Sequence, residues 1–409
     1  MKLQIASPGE FPAGLDLPWR DPLESWEHPA LVRLTRGISR NIVRFAAYRD
    51  AVYAIKELDE RLAEREYGLL RELVELGLPV VEPVCLVTER TTPGAAGRGL
   101  LVTRYLDHSV PLRSLISGGA SAEQASKLMD AVGDLLVRLH LAGFFWGDCS
   151  LSNTLFRLDA GRFAAYLVDA ETGEIHPSLS DGQRFHDLMI ASENLAGELM
   201  DLEQGFGLPP GVEPVALAGT LAPRYEHLWE EIHRVETYPE NRQDLLEDRL
   251  HQLNAMGFDI EEMEIEALAD GRLRVRPRPN EGGYHRRLVQ RLMGLDAQEN
   301  QARRLLTDMY AYRAWRTGAE GKDIPVAVSA HRWFTDVYQP TLDAIPAKQR
   351  EKLDDPEIFH QILEHRWYMS EREGRELGLE DVIPSYVAQV LEPMAAPRVE
   401  PSPLAGASE

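Results

Sequence analysis

GFFWGDCSLSNTLFRLDAGRFAAYLVDAE, residues 143–171, decides the fold. Asp148 and Asn153 stand five residues apart in a polar loop, and Asp169 ends the apolar run that follows. TLFRLD and RFAAYL flank Asp159-Ala160-Gly161, a turn sequence, so a hairpin is expected to return Asp169 to the loop that holds Asp148. A carboxylate, an amide and a second carboxylate brought together supply a base or hydroxyl-orienting group and hard oxygen donors for magnesium. Taken alone, each of these residues is also what an ordinary turn contains.

Upstream, Ser121 and Gln124 form a capping box for a helix striped by Ala125, Leu128, Val132, Leu135 and Leu139 and stopped by Gly143. VVEPVCLVTE (80–89) and GLLVTRYL (99–106) read as strands joined by the Gly-rich TTPGAAGRG loop. A helix is expected over about 59–76, with Leu62, Glu66, Leu69, Leu70, Leu73 and Leu76 at helical spacing and Gly77 and Pro79 at its end. VRFAAYRDAVYAIKEL (43–58) reads as two strands about Arg49-Asp50. Lys56 on the second strand can reach nucleotide phosphates, as the glycine-bearing TRGISRNIVRF (35–45) precedes it. Glu66, on the buried face of its helix, requires a cation, and Lys56 is the candidate; Glu64 and Glu72 are the alternative partners.

Lys56, Glu66, Asp148, Asn153 and Asp169 occur in the order and approximate spacing of the protein-kinase-like fold, and EREYGLLRELVELGLPVVEP (64–83) looks like the small atypical kinases. More narrowly, the chain resembles a bacterial family related to the Kdo/lipopolysaccharide kinases that carries a C-terminal region of its own. The resemblance implies an α+β, two-lobed fold followed by a mainly helical C-terminal region with a β-hairpin. It further implies an ATP- and magnesium-dependent phosphotransferase acting on a hydroxyl of a protein or small molecule. Lys56 would hold the nucleotide phosphates under a loop containing Gly37, with Arg40 or Arg44 assisting. Glu66 would fix Lys56, Asp148 would orient or deprotonate the acceptor, and Asn153 with Asp169 would hold magnesium. Adenine is expected against the linker 103–106, near Thr103 and Tyr105.

Three features depart from conventional protein kinases: Trp146-Gly147 stands where they carry His-Arg, Ser150 where they carry lysine, and DAE, with Glu171, after the hairpin. A pseudokinase or nucleotide-binding scaffold whose C-terminal domain binds a protein partner is therefore the alternative. His140 reads as a satisfied helix-terminal histidine and Cys149 as a packing residue. RFHDLMIASENLAGEL resembles the helix that supports the catalytic loop in this fold, with Asp187 either its anchor or a helix-surface acid.

The composition sets the outer limits. The chain has 409 residues and a formal charge of −22, which opposes nucleic-acid binding. No apolar run is long enough for a membrane span or a signal peptide, and Cys85 and Cys149 suit a reducing compartment, so a cytoplasmic protein is expected. The expected organisation is an arm (1–30), an N-lobe (31–106), a C-lobe core (107–205), a linker (206–219), a helical C-terminal domain (220–392) and a disordered tail (393–409).

Residues 271–291 hold seven arginines against one acid. If 262–278 is a hairpin, Glu262, Glu264 and Glu266 face Arg278, Arg276 and Arg274, so a neutralised ladder is favoured over a nucleic-acid face. Arg286, Arg287 and Arg291 lie outside that ladder. Asp296 and Glu299 are expected to cap the long helix after it, and the aromatic-rich SAHRWFTDVYQP and ILEHRWYMSERE to build a core or an interface.

Overall fold

A computed structural model describes residues 1–6, 16–34, 41–48, 51–117, 119–239, 242–255, 262–268, 272–278, 283–394 and 399–401. It divides into two compact units: Met1–Arg157, Ala164–Asn280 and Arg398–Glu409 form unit 1, and Leu158–Phe163 with Glu281–Pro397 form unit 2.

Unit 1 opens with β1 (Lys2–Ile5), β2 (Leu31–Leu34), β3 (Ile42–Tyr48) and β4 (Ala51–Asp59), then α1 (Glu60–Glu75), β5 (Pro83–Thr88) and β6 (Arg98–Arg104). β3 and β4 pair as their apolar clusters require, with Tyr48 opposite Ala51; Arg49 and Asp50, read as the turn, lie outside the described residues. With β15 (Val399–Pro401) these strands make one sheet in the order β1-β5-β6-β4-β3-β2-β15. Part of the tail expected to lack order thus pairs with the edge of β2, where unpaired backbone groups invite another strand.

Strand alternation gives β4 two different faces. Lys56 points to α1, whereas Tyr53 and Ile55 join Leu17, Trp19, Leu23 and Trp26 in a buried cluster on the opposite side. The expected arm is therefore part of the lobe: Arg90 donates to the Trp19 carbonyl (2.9 Å) and pairs with buried Glu57 (2.5 Å).

On α1 the buried stripe runs through Ala63, Glu66, Tyr67, Leu70 and Leu73, while Leu62 and Leu76, expected on that stripe, point outward. A methyl added at Gly99 on β6 would lie 2.7 Å from the Ala63 side chain, so only a small residue fits where helix and sheet touch.

The chain continues through β7 (Val110–Pro111), α2 (Leu112–Ser117), α3 (Ala122–Leu141), β8 (Phe144–Phe145), β9 (Thr154–Asp159), β10 (Arg162–Leu167), β11 (Glu174–Ile175) and α4 (Asp181–Phe206). The Ser121–Gln124 capping box on α3 is present. α5 (Pro214–Ala218) and α6 (Leu221–His233) pack on α3 and α4, burying Leu217, Leu221, Tyr225, Leu228 and Ile232. Residues 206–219 consequently do not separate the units, because both helices complete the lobe begun by α3.

Next come β12 (Glu236–Pro239), α7 (Gln243–Ala255), β13 (Glu262–Ala267) and β14 (Arg272–Arg278). β13 and β14 pair in the expected register, with Glu262, Glu264 and Glu266 opposite Arg278, Arg276 and Arg274, and Arg274 holds Glu266 at 2.7 Å. β12 adds a third, unforeseen strand on the free edge of β14.

Unit 2 contains α8 (Tyr284–Met293), α9 (Glu299–Glu320), α10 (Val326–Trp333), α11 (Gln339–Asp343), α12 (Ala347–Arg350), α13 (Asp355–Glu373) and α14 (Leu379–Tyr386). Trp333, Tyr338, Phe359 and Tyr386 fill its core, whereas Trp367 and Tyr368 of the same aromatic-rich segments are exposed. Asp296 and Glu299 do not cap α9. Glu299 accepts the His285 and Arg286 N–H groups at the start of α8, Asp296 pairs with Arg286, and α9 is capped by Asp159. Among the described residues no helix is long and apolar enough to cross a membrane.

Candidate active site

Lys56 sits in the middle of β4, where the sheet directs it at the buried face of α1. Its Nζ lies 3.0 Å from Glu66 Oε2, 2.6 Å from Asp169 Oδ2 and 3.5 Å from Glu171 Oε2. Glu66, 1% exposed, is thus the buried partner, while Glu64 and Glu72 lie on the exposed side. Burial by itself would lower the lysine's pKa, but the charges of Glu66 and Asp169 hold it above its ordinary value. Burial, reinforced by the Asp169 charge and opposed by Lys56, pushes Glu66 up to about 8. The two shifts agree physically: three carboxylates face one ammonium, so the cluster retains a proton, and it resides on the most buried acid.

Asp148 lies in the loop between β8 and β9. Its Oδ2 accepts from Asn153 Nδ2 (3.1 Å), which also donates to the Asp148 carbonyl (3.1 Å). Asn153 receives Val168 N–H on its own carbonyl (3.0 Å), so the two roots of the β9–β10 hairpin are tied beside Asp169. Trp146, fully buried, donates its indole N–H to the Asp169 carbonyl (2.9 Å). The loop and the post-hairpin acid are therefore one hydrogen-bonded assembly.

That assembly is suspended from α4. Asp187, wholly buried, accepts Trp146 N–H (2.7 Å) and Gly147 N–H (2.8 Å), and Gly147 has the positive φ of 74° that lets the chain turn there. His140 Nε2 lies 3.1 Å from the same carboxylate and its Nδ1 2.8 Å from the Tyr225 hydroxyl. A carboxylate only accepts, so Nε2 carries the proton and Nδ1 accepts from Tyr225. His140 is a satisfied buried residue, as its position at the end of α3 suggests.

Sequence reasoning missed two members. Asn194 donates to Asp148 Oδ1 (3.3 Å) and to the Cys149 carbonyl (3.2 Å), and Glu198 accepts from the Ser152 hydroxyl (2.7 Å) and N–H (3.1 Å). Both share one face of α4 with Asp187, at helical spacings of seven and eleven residues. That spacing was the available signal.

Thr103 lies on β6, and the Tyr105 N–H beyond it donates to the Val52 carbonyl (2.8 Å). The Tyr105 backbone donor is consequently held within the lobe. Arg44 is engaged elsewhere too, donating to the backbone carbonyls of Glu24 and Trp26. Gly37 and Arg40 lie outside the described residues. Cys149 is fully buried, and burial followed by the charges of Asp187, Glu198 and Asp148 raises its thiol well above the ordinary value. An unreactive packing role follows. The Ser150 hydroxyl accepts Asn153 N–H (3.2 Å), so it stabilises the loop from within.

Residues 33–190 match the Lipopolysaccharide kinase (Kdo/WaaP) family, and residues 227–391 match a domain of unknown function (DUF4032). No curated protein sequence matches the chain. Among solved structures, one of WaaP in complex with acyl carrier protein shares 19% identity, covering 63% of this chain and 99% of the other with a TM-score of 0.38. Residues 33–190 are thus similar to the Kdo/WaaP lipopolysaccharide kinases, kinase-like at family level, and are joined to a C-terminal region similar to a domain of unknown function.

Proposed function

We propose that the protein is an ATP- and magnesium-dependent phosphotransferase acting on a hydroxyl acceptor. The observation that carries this reading is the convergence of Lys56, Glu66 and Asp169, at 3.0 and 2.6 Å, beside a loop in which Asn153 is bonded to Asp148. Phosphoryl transfer needs little beyond such a cation, oxygen ligands and a carboxylate for the incoming hydroxyl.

The donor set fits magnesium. Carboxylate oxygens of Glu66, Asp169 and Glu171 lie within 4.8 Å of one another, and magnesium prefers hard oxygen ligands supplemented by waters. Asn153 directs its amide nitrogen at Asp148, leaving Oδ1 for a metal shared with Asp169. The bound metal would neutralise charge on the transferring phosphoryl group. Lys56 would exchange its contact with Asp169 for nucleotide phosphate while Glu66 retained it. Asp148, held by Asn153 and Asn194, would orient the acceptor hydroxyl and take its proton. Adenine would lie against the 103–106 linker near Thr103 and Tyr105.

A nucleotide-binding scaffold is the second reading. It is favoured by Ser150, whose inward hydroxyl leaves no lysine-like cation two residues after Asp148. ATP titrations with and without magnesium, followed by phosphate-consumption assays of wild type and Asp148→Ala, separate the two. Magnesium-dependent binding with turnover that Asp148→Ala lowers by roughly 10²–10⁴ is expected. Absence of magnesium-dependent binding overturns the phosphotransferase reading, and binding without turnover in wild type selects the scaffold.

A further inference from the structure

The β9–β10 hairpin carries Asn153 at one root and Asp169 just beyond the other, and its tip, Leu158–Phe163, belongs to unit 2. Asp159 is buried there. It accepts from Gln301 N–H (2.8 Å), Asn300 N–H (3.1 Å) and the Asn300 side chain (2.9 Å) at the first turn of α9. Ala160 and Gly161, both at positive φ, donate their N–H groups to the two oxygens of Glu357 (2.8 and 3.0 Å). Glu357 is itself completely buried on α13 and also accepts from Gln301 and Gln361.

A two-residue hairpin turn needs no such setting, since water satisfies an exposed tip at no cost. Burying two carboxylates is unfavourable unless every oxygen is bonded, and here each one is. The tip is therefore held in a specified place. Between tip and roots run the paired segments 154–157 and 164–167, closed by the Val168–Asn153 hydrogen bond, so the position of the tip bears on the roots.

Resting on the phosphotransferase reading above, we propose that Asp159 and Glu357 are positioning residues for the metal ligands Asn153 and Asp169, and that unit 2 sets magnesium affinity through the hairpin. The test uses the full chain with Glu357→Ala, Glu357→Gln, Asp159→Asn and a control, Trp333→Phe, which loses the Trp333–Asp308 bond (2.8 Å), a unit 2 bond that no tip residue makes. Three quantities are measured: the magnesium midpoint for ATP binding, ATP affinity without metal, and amide hydrogen exchange at residues 153–155 and 167–169.

Glu357→Ala should raise the magnesium midpoint roughly ten-fold, the usual scale for losing support behind a metal ligand, with metal-free ATP affinity unchanged and the root amides exchanging faster. Glu357→Gln and Asp159→Asn, which keep part of the acceptor set, should fall between it and wild type. Trp333→Phe should melt earlier without either shift. The proposal is overturned if the tip variants lose thermal stability yet keep wild-type magnesium midpoints and root exchange. If Glu357→Ala does not fold, the two milder variants decide. If wild-type protein shows no magnesium-dependent binding, the phosphotransferase reading fails separately, and root exchange still decides whether the tip positions the loop.

Discussion

Lys56 faces three acids, and the consequences of removing it follow from their burial. Lys56→Met would leave Glu66 without a cation in a site it cannot leave, which costs about 3 kcal/mol for a buried pair. Glu66 can escape part of that cost by holding its proton. The loss of stability should therefore be larger at pH 9 than at pH 6, as denaturant melts at the two values would show; an equal loss would mean that Glu66 is charged throughout. Asp148 is the converse case, partly exposed and bonded by two amides. Asp148→Ala should lower turnover by roughly 10²–10⁴, the scale of general-base catalysis, while magnesium-dependent ATP binding persists. Both residues were legible from their type and order. The pairing of Lys56 with Glu171 was not, because it depends on where the chain turns after Val168.

At the scale of elements, α4 and the loop of Asp148 form one device. Asp187 receives two loop N–H groups and His140, all away from solvent. In Asp187→Ala those donors lose their acceptor, at about 1–3 kcal/mol for each unsatisfied group, so a fall of several kcal/mol in unfolding free energy is expected. Asn194→Ala removes only the support of Asp148 and the Cys149 carbonyl. It should lower turnover with little change in melting temperature, and a large stability loss would show that Asn194 is a structural residue. The helices themselves were readable from their caps and apolar periods. On α1, Glu66, Leu70 and Leu73 are buried as read, but leucines at 62 and 76 extend the helical pattern to exposed positions, and it is Ala63 that meets Gly99.

For the whole molecule, the division into units gives Asp159 a measurable role. Burial, resisted by its bonds to Gln301 and Asn300, pushes its carboxyl up to about 6 from an ordinary 3.8. The folded protein then keeps a proton that the unfolded chain has released. Its penalty is absent below pH 4, grows as pH rises through about 6, and totals about 3 kcal/mol. Relative to Asp159→Asn, wild-type stability should fall over that window and level off above it; a difference that does not vary with pH would remove Asp159 as the cause. At the same scale, the composition break at 206–219 shows only that the chain is irregular there. Gly and Pro mark an irregular segment, but they do not report that α5 and α6 return to pack on α3.

What the sequence by itself determined is local: the order of β3, β4, α1, β5, β6, α3, β9 and β10, the capping box of α3, the turn of the hairpin at 160–161 and the register of β13 against β14. Each depends on periodicity or turn chemistry within about twenty residues. Tertiary structure alone decided which carboxylates gather at Lys56, that Asn194 steadies Asp148, and that a hairpin tip caps a helix some 140 residues later in the chain. Those contacts join groups whose local surroundings are unremarkable. Only folding, which forces buried donors and acceptors to find one another, selects the partner.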